Sequence, residues 1–361
     1  MEDSLTFKPI NVKSNIRDYS AEFIDNVNSK LTDYKEGETF FIIDHNVIDL
    51  YKSELSHILD RFSVVNFESV EPQKSLDRAS DIVLSLIEQG FKKNYRLVGI
   101  GGGIVQDITG FVASILFRGV SWDLFPTTLL SQADSCIGSK TSINVKDYKN
   151  QLGTFFPPEN VYVSTTFLGT LNHSEILSGV GEMIKVHLLD NKESFEYLAQ
   201  NYEAIFRDNQ VMLEAIYRSL QIKKRVIEID EFDRDYRNIM NYGHSFGHAI
   251  ESVTNYGIPH GQAVTIGMDI ANFVSVKMGL LSEEQYTRYE ELILKNFPNY
   301  DLASLDIDQL ILSLSKDKKN IGKRLTLILT KGAGQMDKYV VQSDELFKSW
   351  IVAYFEKRIN A

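Results

Sequence analysis

In RLVGIGGGIVQD, residues 96–107, an apolar run from Arg96 to Ile100 enters three consecutive glycines and leaves them in a helical pattern. A buried strand that ends in glycine and turns at once into a helix is how a βαβ unit begins. Outward from it, Thr39–Ile43 (TFFII) reads as a second buried strand ending at Asp44. Ser63–Phe67 reads as a third, and Trp122–Phe125 as a fourth that stops at Pro126. A helix between them places Leu76, Ala79, Val83, Leu86 and Ile87 on one face. Strands separated by helices of this length imply a parallel sheet.

Beyond about residue 170 the pattern becomes helical. Helices are expected over Ser174–Leu189, Ser194–Phe206 (with Ser194 as N-cap), Val211–Ile229, Tyr236–Thr254 and Gly261–Met278. Arg324–Thr330 reads as a late strand paired with Met336–Val341, and the KDKK run Lys316–Lys319 as a solvated turn. The expectation is α/β plus all-α. A Rossmann-like α/β domain spans residues 1–170 and a mostly helical domain residues 171–361, with the site in the cleft between them.

The 361 residues suffice for two cores. Lys and Arg number 38 against 49 Asp and Glu, a net charge of −11. So acidic a chain is a poor partner for nucleic acid or an anionic membrane. The single cysteine, Cys136, offers neither an internal disulfide nor a cysteine metal site, as expected in a reducing cytoplasm. Glu2, Asp3 and Lys8 stand where a signal peptide would be apolar, and no stretch approaches the roughly 18 apolar residues of a membrane span. These features predict a soluble intracellular enzyme.

Three groups of residues carry possible chemistry. Gly101–Gly103 with Asp107 resembles a loop for dinucleotide phosphates, where glycine admits close backbone approach and a helix N-terminus supplies N–H donors. It is not GxGxxG, and a plain strand-to-helix turn reads the same way. His244 and His248, at i and i+4, share a helix face; with His260 and Glu182 they offer ligands to one metal, or else are packed polar groups. Arg118, Lys140, Lys149, Lys185, Lys223 and Arg237 form either a pocket for an anion or separate surface cations.

Taken together, GGGIVQDITGF (101–111), FRGV (117–120), PTTLLSQADSCIGSKTSIN (126–144), YKNQLGTFFPP (148–158), GEMIK (181–185), NYGHSFGHAIE (241–251) and HGQAVTIGM (260–268) occur in one order. In that order they resemble 3-dehydroquinate synthase and the other sugar-phosphate cyclases, from about Asp44 to Gly334. The resemblance implies NAD on Asp44, Glu71, Lys74, Gly103, Asp107, Thr127 and Thr128, with Lys140 and Lys149 nearby. It implies a divalent metal, zinc or cobalt, on Glu182, His244 and His260, which moves His248 from the metal to the substrate. The implied substrate pocket comprises Arg118, Asp134, Lys140, Asn150, Lys185, Lys223, Arg237, Asn241, His248 and Lys318, so that KDKK becomes a mobile loop.

The implied partner is a small sugar phosphate, with no nucleic acid and no membrane, and the implied assembly is a homodimer. The implied reaction oxidises one hydroxyl of a seven-carbon keto-sugar phosphate, eliminates phosphate, returns the hydride and closes the carbocycle by an aldol step. Lys223 and Arg237 favour a carboxylated substrate, since a buried cation without an anion is costly. Another cyclase, acting on sedoheptulose 7-phosphate or the like, and a metal-dependent polyol dehydrogenase are the alternatives. Gln106, Ser139, Gln262, Asp233 and the segment 145–148 depart from the usual family pattern.

Overall fold

A computed structural model describes residues 7–146, 148–315 and 324–360. The chain divides into two compact units, Met1–Asn172 with Ile216–Phe232, and His173–Ala215 with Asp233–Ala361. The first crossing lies close to residue 170. The return of Ile216–Phe232 to the first unit has no counterpart in the single expected boundary. Long-range polar contacts hold that segment there. Lys223 Nζ lies 2.7 Å from Asp134 Oδ1, and Glu231 accepts hydrogen bonds from Ser14 Oγ at 2.5 Å and Asn15 N at 2.7 Å.

The first unit is built on strands β1 (Ile10–Val12), β2 (Tyr19–Phe23), β3 (Thr39–Asp44), β4 (Ser63–Phe67), β5 (Arg96–Gly101), β6 (Ser121–Pro126) and β9 (Asn160–Val163). A separate hairpin pairs β7 (Ile143–Val145) with β8 (Tyr148–Leu152). The sheet runs β1-β2-β9-β6-β5-β3-β4, and only the β1–β2 pairing is antiparallel. TFFII lacks alternation because helices cover both faces: Thr39 through Ile43 are all buried. Phe41, Ile43, Val98, Ile100 and Phe125 share one core with Val47 and Ile58 from flanking helices. From β3 the chain steps to β4 at the sheet edge, then returns to the other side of β3 as β5. Such a reversal opens a crevice at the carboxyl ends of β3 and β5, the usual ligand position in open α/β sheets.

In the second unit the helix His260–Lys277 is buried from Gly261 to Ser275, and the helices His173–Asp190 and His244–Val253 also belong to this unit. The hairpin of β10 (Arg324–Thr330) and β11 (Met336–Gln342) pairs Leu327 with Tyr339. Among the described residues no helix is long and apolar enough to cross a membrane.

Three local expectations change. The helix Leu76–Glu88 buries Ala79, Ile82 and Leu86, a narrow i, i+3, i+7 stripe, while Leu76 and Ile87 are each 50% exposed. Asn191, not Ser194, caps the helix Lys192–Asn201, accepting from Ser194 N at 2.9 Å; a separate turn, Ala204–Phe206, follows. The long helix expected over Tyr236–Thr254 is two pieces, Tyr236–Asn241 and His244–Val253. Gly243 between them has φ 77°, and a side chain there would strike Met268 Cγ at 2.6 Å.

Two helices meet where Gly261 N donates to Ser178 Oγ at 2.9 Å. A Cβ on Gly261 would lie 1.7 Å from Ser178 O, so the backbones themselves touch. Gly261→Ala should therefore destabilise by at least about 3 kcal/mol, the upper part of the overpacking range, as read from urea unfolding. A loss below about 1 kcal/mol would contradict so close an approach.

Candidate functional site

The first unit gathers its polar residues around Lys74, which is 6% exposed. Its Nζ lies 2.7 Å from Asn150 Oδ1, 3.1 Å from Asp107 Oδ2 and 3.6 Å from Glu71 Oε1. Glu71 is fixed in turn by Asn144 Nδ2 at 2.8 Å. Burial pushes the Asp107 carboxyl up to about 6, with Lys74 pulling the other way. Glu71, Lys74 and Asp107 thus come together as expected of a cofactor group. Asn150, expected among the substrate residues, joins them, at a left-handed φ of 55°. Lys149 is half-buried on β8.

Asp44 ends β3 and caps the next helix, accepting from Asn46 N at 3.0 Å. Thr127 and Thr128 follow β6, and Thr127 N donates to Gly101 O at 3.0 Å. Gly103 opens the helix Gly103–Ile115, whose N-cap, Gly102, offers no side-chain cap; a Cβ on Gly103 would meet nothing within 4 Å. Uncapped N–H donors with room before them, at the sheet's reversal, fit an anionic cofactor group.

On the other side of β6, a single π-helical turn, Ser131–Ser135, carries Asp134. Lys223 Nζ grips it twice, at 2.7 Å to Oδ1 and 2.6 Å to the main-chain oxygen. Lys140 is exposed, bridged to Phe155, and Arg118 is exposed at φ 63°. Lys318 lies outside the described residues.

In the second unit Glu182 is 1% exposed, and Lys185 Nζ, 2% exposed, sits against its Oε2. His244 Nε2 and His260 Nε2 converge on Glu182 Oε1 at 3.6 and 3.4 Å. Their other nitrogens are engaged: His244 Nδ1 lies 3.2 Å from Tyr242 O, and His260 Nδ1 3.2 Å from Glu251 Oε2. A proton held on each Nδ1 leaves each Nε2 lone pair for a cation. Among the described residues, neither Glu182 oxygen accepts a hydrogen bond in good geometry. Ligands about 2.1 Å from a tetrahedral zinc stand about 3.4 Å apart, close to the two carboxylate–imidazole separations of 3.6 and 3.4 Å.

The charges agree with the geometry. Burial raises a carboxyl, but Lys185 and the two imidazoles hold Glu182 well below the carboxylate range. Burial, with Lys185, drives His244 well below its ordinary value. Burial also opposes a charge on His260, yet its closeness to Glu182 and Glu251 raises it to about 10. The pocket draws positive charge inward, and the donor set of one carboxylate and two imidazoles fits a divalent metal. His248 is exposed, its ring centroid 5.5 Å from His244 and 5.7 Å from His260. Arg237 is 4% exposed on the turn that also carries Asn241, whose Nδ2 donates to Asn238 O at 3.1 Å.

Two family models cover most of the chain, the 3-dehydroquinate synthase N-terminal region at residues 64–178 and the C-terminal region at 179–320. The 3-dehydroquinate synthase of Thermoanaerobacter pseudethanolicus is 34% identical over 321 residues, 87% of this chain and 90% of its own. This chain belongs to the 3-dehydroquinate synthase family. Solved structures share the fold. A 2-deoxy-scyllo-inosose synthase complexed with carbaglucose-6-phosphate, NAD+ and Co2+ matches with a TM-score of 0.84 and 24% identity, over 95% of this chain and 99% of that one. A 2-epi-5-epi-valiolone synthase from Streptomyces hygroscopicus subsp. jinggangensis with NAD+ and Zn2+ bound matches at 0.82 and 22%, over 97% and 99%.

Sequence reasoning missed Glu251, the last letter of NYGHSFGHAIE. Its place seven residues after His244 and three after His248 was the available signal, since both offsets share a helix face. At 3.2 Å from His260 Nδ1, its Oε2 orients that imidazole. Glu251→Gln should weaken zinc binding by about 10–100-fold, the usual effect of losing a carboxylate behind a ligating histidine. Competition with a chromophoric chelator measures this, and unchanged affinity would remove Glu251 from the site. His260→Ala should purify without metal, while His248→Ala should keep about one ion per chain. The opposite pattern in metal analysis would mean the ligands are misassigned.

Proposed function

We propose that this chain converts 3-deoxy-arabino-heptulosonate 7-phosphate to 3-dehydroquinate and inorganic phosphate, as a phosphate-eliminating carbon–oxygen lyase. Its resident cofactors on this reading are NAD and one divalent metal, zinc or cobalt. The observation that carries it is the Glu182–His244–His260 cluster, in a chain similar along most of its length to a 3-dehydroquinate synthase. NAD, when bound, supplies a reversible hydride acceptor, and the metal a positive charge beside the reacting oxygens. A homodimer in the cytoplasm, serving the shikimate route to aromatic amino acids, belongs to the same reading and rests on the family resemblance.

The chain's own residues divide the remaining work. Glu71, Lys74 and Asp107 form the polar group proposed for NAD, with Asp44, Gly103, Thr127 and Thr128 at the carboxyl ends of the strands. Lys185, whose ammonium lies against Glu182, is assigned as a donor to a substrate oxygen. His248, exposed and off the metal set, is assigned to the phosphate, with Lys140, Arg118 and Lys318. Phosphate leaves with the C–O bonding pair once the neighbouring C–H has lost its proton. The hydride removed in the oxidation is returned to the substrate before an aldol step joins two of its own carbons, so net redox change is zero.

Selection for a carboxylate rests mainly on Arg237. Arg237 is a nearly fully buried guanidinium, and a guanidinium can bind a carboxylate through two parallel hydrogen bonds. The wild type should therefore turn over the carboxylated heptulosonate far better than sedoheptulose 7-phosphate. Arg237→Met should lose about 2–5 kcal/mol in kcat/KM for the carboxylated substrate and discriminate less against the other. Steady-state kinetics with both substrates checks this. A wild-type preference for the uncharged sugar would place the chain with another cyclase activity.

A further inference from the structure

Gln106 is 7% exposed on the helix Gly103–Ile115, one residue before Asp107. Its amide closes on Ser135 from both ends: Nε2 donates to Ser135 O at 2.7 Å, and Oε1 accepts from Ser135 Oγ at 2.9 Å. Ser135 is the last residue of the π-helical turn that carries Asp134, and such turns concentrate at functional sites. The same stretch is fastened again three to four residues on. Gly138 N donates to Tyr19 Oη at 2.8 Å, and Ser139, at φ 65°, sends Oγ to Glu231 at 3.2 Å. Neighbouring positions on one helix thus serve different purposes. Asp107 pairs with Lys74 among the proposed NAD residues, and Gln106 holds the turn of the proposed substrate residues.

We propose that Gln106 is a positioning residue, fixing through Ser135 the turn that presents Asp134 to Lys223 and thereby setting substrate affinity without acting on NAD. The inference rests on the proposed substrate role of Asp134. Its physical basis does not: without the amide, a part-buried main-chain oxygen and a hydroxyl lose that partner together, and the turn is free to open.

Cys136, the next residue and the chain's one cysteine, provides a probe of that opening. It is buried, with Sγ 3.5 Å from Gln132 O, so a disulfide reagent reaches it only when the turn moves. Gln106→Met keeps the volume and removes both hydrogen bonds. Labelling of Cys136 by 5,5′-dithiobis(2-nitrobenzoate) in native buffer should accelerate about tenfold, as a loosened local unit allows. Val27→Ala, a core change elsewhere in the same unit, should leave that rate unchanged. In kinetics, Gln106→Met should raise KM for the heptulosonate phosphate about tenfold, with kcat within about threefold and the NAD dissociation constant within about twofold.

An unchanged labelling rate, an unchanged KM, or an NAD affinity that falls as far as KM rises would each overturn the proposal. Wild-type protein that turns over neither sugar phosphate would sink the functional reading, and with it the claim about substrate affinity. The labelling experiment would then decide, by itself, whether Gln106 holds the turn.

Discussion

The Glu182 carboxylate is 1% exposed, on a helix buried continuously from Ser178 to Leu189. A charge so far from water costs on the order of several kcal/mol unless something offsets it. Much of the C-terminal unit serves that constraint. Lys185, one turn along, answers one oxygen, and the two imidazoles answer the other. Gly243 breaks the helix so that His244 begins a new one, and Gly261 lets the helix that starts at His260 touch backbone at Ser178. Polar bonds then hold the join: Thr265 Oγ1 donates to Gly261 O at 2.7 Å, and Asn296 Nδ2 donates to Thr265 Oγ1 and to Leu177 O, both at 3.0 Å. Gln262, noted as a departure from the family pattern, is part of this scaffold, with Nε2 3.3 Å from Asn296 O.

The N-terminal unit obeys a related rule. Among the described residues its buried lysines have carboxylates at hand: Lys74 has Asp107, and Lys223 has Asp134. The half-buried Arg96, at the start of β5, has Asp123 at 2.7 Å and Glu159 at 2.5 Å. The first two pairs lie among residues assigned to ligands. The third lies at the opposite end of β5 from the glycines, where a purely structural role accounts for it. Position relative to the strands' carboxyl ends separates these roles where charge alone does not.

Much of this was legible in the residues. RLVGIGGG and TFFII announced parallel strands because only strands covered on both faces read as unbroken apolar runs. Spacing alone offered the proposed metal residues as types but not as a set, which came from the family resemblance. HxxxH spacing favoured His244 with His248, and only the fold brings Glu182 and His260, 78 positions apart in the chain, to 3.4 Å. What stayed hidden depends on tertiary contact. The break at Gly243 arises from a close approach to Met268, and the assignment of Ile216–Phe232 to the first unit arises from Asp134 and Glu231. The contact of Asn150 with Lys74, made from a left-handed backbone, was likewise not legible in the chain.

In the proposed reaction an oxidation and a reduction occur within one turnover, with phosphate leaving between them. Simultaneous assay of inorganic phosphate and NADH, during turnover of the heptulosonate phosphate with zinc or cobalt and NAD+ present, follows both events at once. The expected result is one phosphate released per carbocycle formed and no accumulation of NADH. NADH accumulating in step with substrate consumption, with no phosphate released, would contradict it and describe a dehydrogenase instead.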